Sequence, residues 1–128
     1  MINEIQIDKA VNWWASAIQN PKFNITDDEH VTLNTAFTES LMSFGVKTLA
    51  PDKVELFKQV LRSKLQSEAF QNLVIHRLIT DYGPEDELWE AFNESGVSML
   101  NCPSKTRMYF KDGKVTVCYG YGAEEVEL

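Results

Sequence analysis

Cysteine is scarce in this chain: only Cys102 and Cys118 occur among 128 residues. Two cysteines are too few for the disulfide framework of a small secreted domain. No apolar run approaches the ~18 residues that a membrane helix needs, and no charged-then-apolar signal stands at the N-terminus. We therefore expect a soluble, intracellular protein whose two thiols are reduced and not linked to each other.

Basic residues are also few, since 12 lysines and arginines stand against 19 acids. The resulting formal charge of −7 and the pI near 4.8 disfavour general binding to nucleic acid or to an anionic membrane. An acidic surface favours basic partners instead, including the basic channels of proteins that handle nucleic acid. The other interpretation is that the charge only keeps a small protein in solution.

Catalytic and metal-binding patterns are missing as well. No spacing of His, Cys, Asp and Glu matches a zinc site or a calcium loop, and no Gly-x-Ser-x-Gly elbow is present. A dyad of Cys118 with His76 is disfavoured, because Cys118 falls in an alternating strand pattern where cysteine usually packs inertly. The sequence thus predicts no metal, no cofactor and no enzymatic activity.

What the sequence does contain is an ordinary globular composition, with 44% hydrophobic and 24% charged residues. Its length suits one domain, residues 1–128. The longest apolar stretch, LVIHRLITDYG at residues 73–83, predicts a central strand covered on both faces. Pro84 directly after it suits the first turn of a helix.

The remaining periodicity predicts four helices and a hairpin. The helices are predicted at residues 8–19, with Asp8 as N-cap, and at 27–44, 51–67 and 84–93. The third is apolar over nearly half its circumference, so we expect it to contact two elements. Strands are predicted at 106–110 and 114–119 around Asp112-Gly113, a strong hairpin signal, and residues 124–128 form an acidic tail. The fold class is α+β: three N-terminal helices, then a β-α-β-β unit with a three-stranded sheet.

Charge is unevenly distributed near the C-terminus. Residues 81–98 hold six acids and no base, whereas residues 101–117 hold four bases and one acid. The two segments either neutralise each other or offer an acidic helix to a basic partner, because carboxylates spaced along a helix imitate phosphates. Exposed aromatics would anchor such a partner. The predicted partner-binding residues are Glu85, Asp86, Glu87, Glu90, Trp13, Trp89 and Tyr82.

Four short motifs carry a resemblance to a known group of proteins. They are Asn12-Trp13-Trp14-Ala15, Asp81-Tyr82-Gly83-Pro84, Pro103-Ser104-Lys105-Thr106 with Met108, and Gly120-Tyr121-Gly122-Ala123. The chain resembles a family of small acidic accessory proteins carried by bacterial phages and mobile elements. The resemblance implies a counter-defence role in the cytoplasm of a bacterial host, such as inhibition of a CRISPR effector, and it brings no catalytic residues with it.

Two alternatives remain open from the sequence. Trp13 lies off the apolar stripe of its helix, so it either packs under the following loop, residues 20–24, or anchors a partner. The positive end of the sheet either stays empty or cradles a small anionic ligand such as a nucleotide, with Lys105, Arg107, Thr106 and Tyr121 as the ligand-binding residues. The partner is then a basic host protein or nucleoprotein complex, a small ligand, or a second copy of the chain.

Overall fold

A computed structural model describes residues 1–23, 41 and 44–128. Helix α1 spans Glu4–Gln19, α2 spans Pro51–Gln66, and the short α3 spans Glu68–Gln71. Strand β1, His76–Ile79, is followed by α4, Asp86–Ser95, and a 3₁₀ turn at Met99–Asn101. Strands β2, β3 and β4 are Arg107–Lys111, Lys114–Cys118 and Glu125–Glu127. The predicted helix at residues 27–44 lies outside the described residues, apart from Leu41 and Phe44.

The helix boundaries follow local sequence signals. Asn3, not Asp8, caps α1. Its side-chain oxygen accepts a hydrogen bond from the backbone N–H of Gln6, and the Gln6 side-chain oxygen accepts one from the backbone N–H of Asn3. This reciprocal capping box satisfies two N–H groups at the helix start, which is why α1 begins four residues earlier than predicted. Pro51 begins α2 as expected, and Gly96, with φ of 75°, ends α4.

The four strands form one antiparallel sheet in the order β1-β2-β3-β4. This corrects the prediction of three strands, because the acidic tail contains β4, which pairs with β3 from Thr116 to Cys118. Strand β1 runs antiparallel to β2. The hairpin between β2 and β3 is confirmed: Asp112 and Gly113 have φ of 54° and 74°, the conformation of a type I′ turn.

Strand β1 is not the central strand that its composition predicted. It lies at the edge of the sheet, and only four residues of the apolar stretch are strand. Leu73, Val74 and Ile75 precede it and are exposed, Val74 completely so. The prediction was wrong because an apolar run records hydrophobicity and not position in the sheet, which depends on contacts with β2, about 30 residues later.

The core lies between one face of the sheet and the helices. The predicted contact of α2 with two elements is met by α1 and α4, and α2 also contacts the short α3 that follows it. Trp14, Phe57, Leu61, Phe92 and Met108 are fully buried there, and the burial of each large side chain contributes roughly 1.5–3 kcal/mol. The opposite, outer face of the sheet carries the alternate residues of the strands, among them Arg77 and Ile79 of β1 and Arg107 and Tyr109 of β2. No helix within the described residues spans enough apolar length to cross a membrane.

Candidate functional site

The acidic run forms the exposed side of helix α4. We call this the acidic surface and define it by the carboxylates and aromatic rings that it carries: Glu85, Asp86, Glu87, Glu90, Glu94, Tyr82 and Trp89. Glu85 is the N-cap of α4, and Asp86 and Glu87 lie in its first turn, where the helix dipole favours negative charge. Leu88, Ala91 and Phe92 face the core, so the polar residues between them point outward.

Two carboxylates of the acidic surface are already paired. Lys64 Nζ of α2 lies 2.9 Å from a carboxylate oxygen of Glu94 and 3.5 Å from one of Glu90. The hydrogen bond to Glu94 raises the pKa of Lys64, with further raising by the charges of Glu90 and Glu94. Glu85, Asp86 and Glu87 make no ion pair within the described part of the chain. The available negative charge is therefore concentrated at the N-terminal end of α4.

Glu87 differs from its neighbours because it is half-buried. Burial raises the pKa of its carboxyl, and the charges of Asp86 and Glu90 raise it further, while a backbone hydrogen bond acts in the opposite direction. With Lys64, Leu73 and Phe70 it lines a shallow cavity of about 420 Å³ between α2, α3 and α4.

Two aromatic rings stand within the acidic surface. Trp89 is 50% exposed and Tyr82 is 59% exposed. Trp89 follows Glu85 and Asp86 by four and three residues, so the three lie close together at the start of the helix. An exposed tryptophan near unpaired carboxylates combines apolar contact area with charge.

Trp13 is not part of the acidic surface. It is half-buried, and its ring packs edge-on against Trp14 and Tyr119 at centroid distances of 4.9 and 4.8 Å. The Tyr119 hydroxyl in turn accepts from the Lys22 N–H and donates to the Asn20 carbonyl. Trp13 therefore packs against Tyr119, which binds the start of the loop after α1, and these contacts do not place it with the acidic surface.

The predicted ligand-binding residues converge on a cleft at one end of the sheet. The cleft has a volume of about 540 Å³ and is lined by Ile79, Thr80, Asp81, Glu85, Lys105, Arg107, Tyr121 and Gly122. Three of the four predicted residues line it. The fourth, Thr106, is fully buried behind it, where its N–H binds the Thr80 hydroxyl and its hydroxyl donates to the Ser104 carbonyl. Thr106 thus supports the cleft and does not contact its contents.

Lys105 is held firmly at the cleft wall. Its Nζ forms an ion pair with Asp81 and lies 4.7 Å from the centre of the Tyr82 ring. Its backbone N–H donates to the Asp81 carbonyl at 2.6 Å. These contacts retain a left-handed backbone with φ of 53°, which a residue with a side chain adopts at a cost. The hydrogen bond to Asp81 also raises the pKa of the Lys105 ammonium.

Cys118 and His76 do not form a nucleophilic dyad. His76 lies opposite Phe110, whereas Cys118 lies opposite Arg107, three residues further along β2. At ~3.3 Å per residue the two are separated by about 10 Å along the strands and by one intervening strand, so the dyad is not assembled. Burial raises the pKa of the Cys102 thiol far above its ordinary value, which makes it unreactive. Within the described residues, no three His, Cys, Asp or Glu side chains converge as a metal site requires.

Sequence reasoning missed the acidic members of the cleft. Asp81 was counted in the acidic run and Glu85 in the partner surface, but both also line the cleft with Lys105 and Arg107. The signal was available in part, because Asp81 lies two residues after the end of β1 and Lys105 lies two residues before the start of β2. Only the antiparallel pairing of those strands brings the two together.

Comparison with known proteins identifies no family for the chain. No family model matches it, and no curated protein is significantly similar to it. The resemblance to counter-defence proteins therefore stays a prediction.

Proposed function

We propose that this protein is a non-enzymatic binding protein that covers a basic region of a partner with the acidic surface of α4. The observation that carries the proposal is Trp89, half-exposed within about one turn of Glu85 and Asp86 at the start of α4. Tryptophan in such a position is typical of a binding hot spot. The unpaired carboxylates around it attract a basic partner and speed its approach.

The partner is a basic protein or a nucleoprotein complex. A helix places successive turns 5.4 Å apart, so carboxylates on it present closely spaced negative charges on a rigid support, as a nucleic-acid backbone does. A channel that binds phosphates would accept this surface. The resemblance noted above supports a host defence complex, such as a CRISPR effector, as the target, and inhibition by occupancy as the mechanism.

The contributions within the surface are unequal. Glu90 and Glu94 already bind Lys64, so a partner's cation gains less from them than from Glu85 and Asp86. Truncation of Trp89 removes the main apolar contact, and loss of an anchor of this kind typically costs ~2 kcal/mol or more, which is about 30-fold in affinity. Loss of the charges of Glu85 and Asp86, at the N-terminal end of α4, mainly slows association with the partner and makes the association rate less dependent on salt.

The experiment is affinity capture from bacterial lysate with the wild-type chain, followed by binding measurements on the captured complex. Binding is compared for Trp89→Ala, for Glu85→Gln with Asp86→Asn, and for Asp52→Asn with Glu55→Gln. The last pair is the matched control, because it removes the same charge from exposed positions on α2. We expect the first two variants to lose affinity and the control to retain it.

Capture at low salt and at ~0.5 M salt separates the contribution of charge to binding from that of apolar contact. At the higher salt concentration the attraction between exposed charges is largely screened. A basic complex that is lost at high salt and by Trp89→Ala supports the proposal. The proposal fails if every captured partner binds all three variants as tightly as it binds the wild-type chain.

A further inference from the structure

The cleft at the end of the sheet has an uneven distribution of charge. Of its four ionised side chains, Lys105 and Asp81 bind each other. Arg107 and Glu85 make no ion pair within the part of the chain that the structure describes. The cleft therefore offers a ligand one cation and one anion, and a ligand that satisfies both must carry an anionic group and a hydrogen-bond donor.

The cationic side of the cleft continues onto the outer face of the sheet. Arg107 on β2 faces Ile79 on β1, and Arg77 lies two residues before Ile79 on the same face. The two arginines are therefore diagonal neighbours, with ~7–8 Å between their backbones. A guanidinium binds the oxygens of phosphate or carboxylate in a two-pronged geometry, so this side suits a phosphate group.

An aromatic ring stands at the rim. Tyr121 is 49% exposed and lies in a turn between Gly120 and Gly122, which have φ of 96° and 72°. These left-handed conformations favour glycine and set the turn that presents the ring to the cleft. An exposed tyrosine beside an anion site gives a planar heterocycle a surface on which to stack.

The geometry points to a nucleoside monophosphate as the ligand, specifically one whose base carries an exocyclic amino group. The phosphate binds Arg107, with Arg77 adding positive charge beside it. The base stacks on Tyr121 and donates its amino group to the Glu85 carboxylate, while the Lys105–Asp81 pair forms a fixed wall. A cleft of about 540 Å³ lies within the range of ~300–1,000 Å³ typical of small-molecule sites. The inference shares Glu85 with the proposed partner binding, but Arg107 and Tyr121 lie outside the acidic surface, so substitutions of these two residues test the nucleotide site separately.

Calorimetric titration with cytidine monophosphate and uridine monophosphate tests the inference on the full chain. The two ligands share the sugar and phosphate, and only the cytosine base carries an amino group. We expect cytidine monophosphate to bind about tenfold or more tightly than uridine monophosphate, as loss of a hydrogen bond to a charged group implies. Inorganic phosphate alone should bind more weakly than either.

Three variants distinguish a built site from general attraction. Arg107→Gln should weaken both nucleotides at least tenfold, Glu85→Gln should remove the preference for cytidine, and Tyr121→Ala should weaken both. Lys111→Gln is the matched control, because Lys111 is another exposed cation on the outer face of β2, and it should leave affinity unchanged. Thermal melts confirm that each variant is folded.

The inference is overturned if neither nucleotide binds at millimolar concentration. It is also overturned if phosphate alone binds as tightly as cytidine monophosphate, or if Lys111→Gln and Arg107→Gln weaken binding equally. If a short single-stranded oligonucleotide bound far more tightly than the monophosphate, the proposed ligand would be wrong and a single nucleic-acid strand would be the ligand of the cleft.

Discussion

Single buried or half-buried polar residues decide how the pieces of this molecule fit, and one of them, Asn101, has no signal in the sequence. Asn101 is fully buried, and its amide donates to the carbonyls of Ile18 and Lys47 and accepts from the Lys47 N–H. It joins the end of α1 to the segment before α2. No local pattern distinguishes it from a loop asparagine, because its two partner residues, Lys47 and Ile18, lie 54 and 83 residues away.

Glu87 gives a prediction at this scale, because burial raises its pKa above the ordinary value of 4.5. The folded chain binds the Glu87 proton more tightly than the unfolded chain, so this carboxyl lowers stability as the pH rises through its titration range. We expect Glu87→Gln to raise the melting temperature at pH 7. The gain should disappear below about pH 4, where both states carry the proton.

The expected gain is small, since solvent screens a half-buried group and limits the effect to roughly a few tenths of a kcal/mol. That corresponds to about 1 °C in a domain of this size. Thermal melts at pH 3 and pH 7 measure it, with Glu124→Gln as the control at an exposed position. An equal gain at both pH values would show that Glu87 acts through packing and not through its charge.

At the scale of elements, α2, α4 and the hairpin strands were predictable, whereas the start of α1, the short α3, the edge position of β1 and the strand β4 were not. Apolar side chains three and four residues apart, and terminal residues such as Pro51 and Gly96, are local signals, and they located α2 and α4 to within about two residues. The Asp112-Gly113 turn is local as well, and it fixed the hairpin. The edge position of β1 and the existence of β4 depend on pairing between distant segments, which periodicity does not encode.

Gly96 tests how much of α4 depends on its terminal residue. A Cβ there would meet only the end of the Lys53 side chain, at 3.7 Å, so there is space for it. The left-handed backbone is the obstacle, and Gly96→Ala should therefore destabilise the chain by about 1 kcal/mol. Urea denaturation measures the change in the free energy of unfolding.

Gly83→Ala is the control for that experiment. A Cβ at Gly83 meets nothing within 4 Å, and its φ is not positive. We expect this substitution to leave the free energy of unfolding within about 0.5 kcal/mol of wild type. Comparable losses for both variants would mean that removal of glycine matters through chain flexibility, and that the left-handed conformation of Gly96 is not the cause.

The whole molecule carries its two candidate sites side by side. Glu85 contributes to both the acidic surface and the cleft, and Lys105 contacts Asp81 and Tyr82 between them. The sequence predicted the residue types of each site because charge runs and exposed aromatics are visible in it. It did not predict that the basic residues of the segment 101–117 would differ in their pairing. Lys105 forms an ion pair with Asp81, whereas Arg107, on the outer face of the sheet, makes no ion pair within the described residues.

This arrangement predicts that the two binding activities separate by mutation. Trp89→Ala should abolish capture of the protein partner and leave the affinity for cytidine monophosphate unchanged, because Trp89 does not line the cleft. Arg107→Gln should do the reverse. Glu85→Gln is the one substitution expected to affect both, since its carboxylate belongs to the N-terminal end of α4 and to the cleft wall.

Capture and calorimetry on the same three preparations measure the separation. If Arg107→Gln also abolished capture, the partner would contact the outer face of the sheet, and the acidic surface would not act alone. If saturating cytidine monophosphate weakened capture by the wild-type chain, but not by the Arg107→Gln variant, the shared Glu85 would couple the sites. Such coupling has to be reciprocal, so the partner would then weaken nucleotide binding by the same factor.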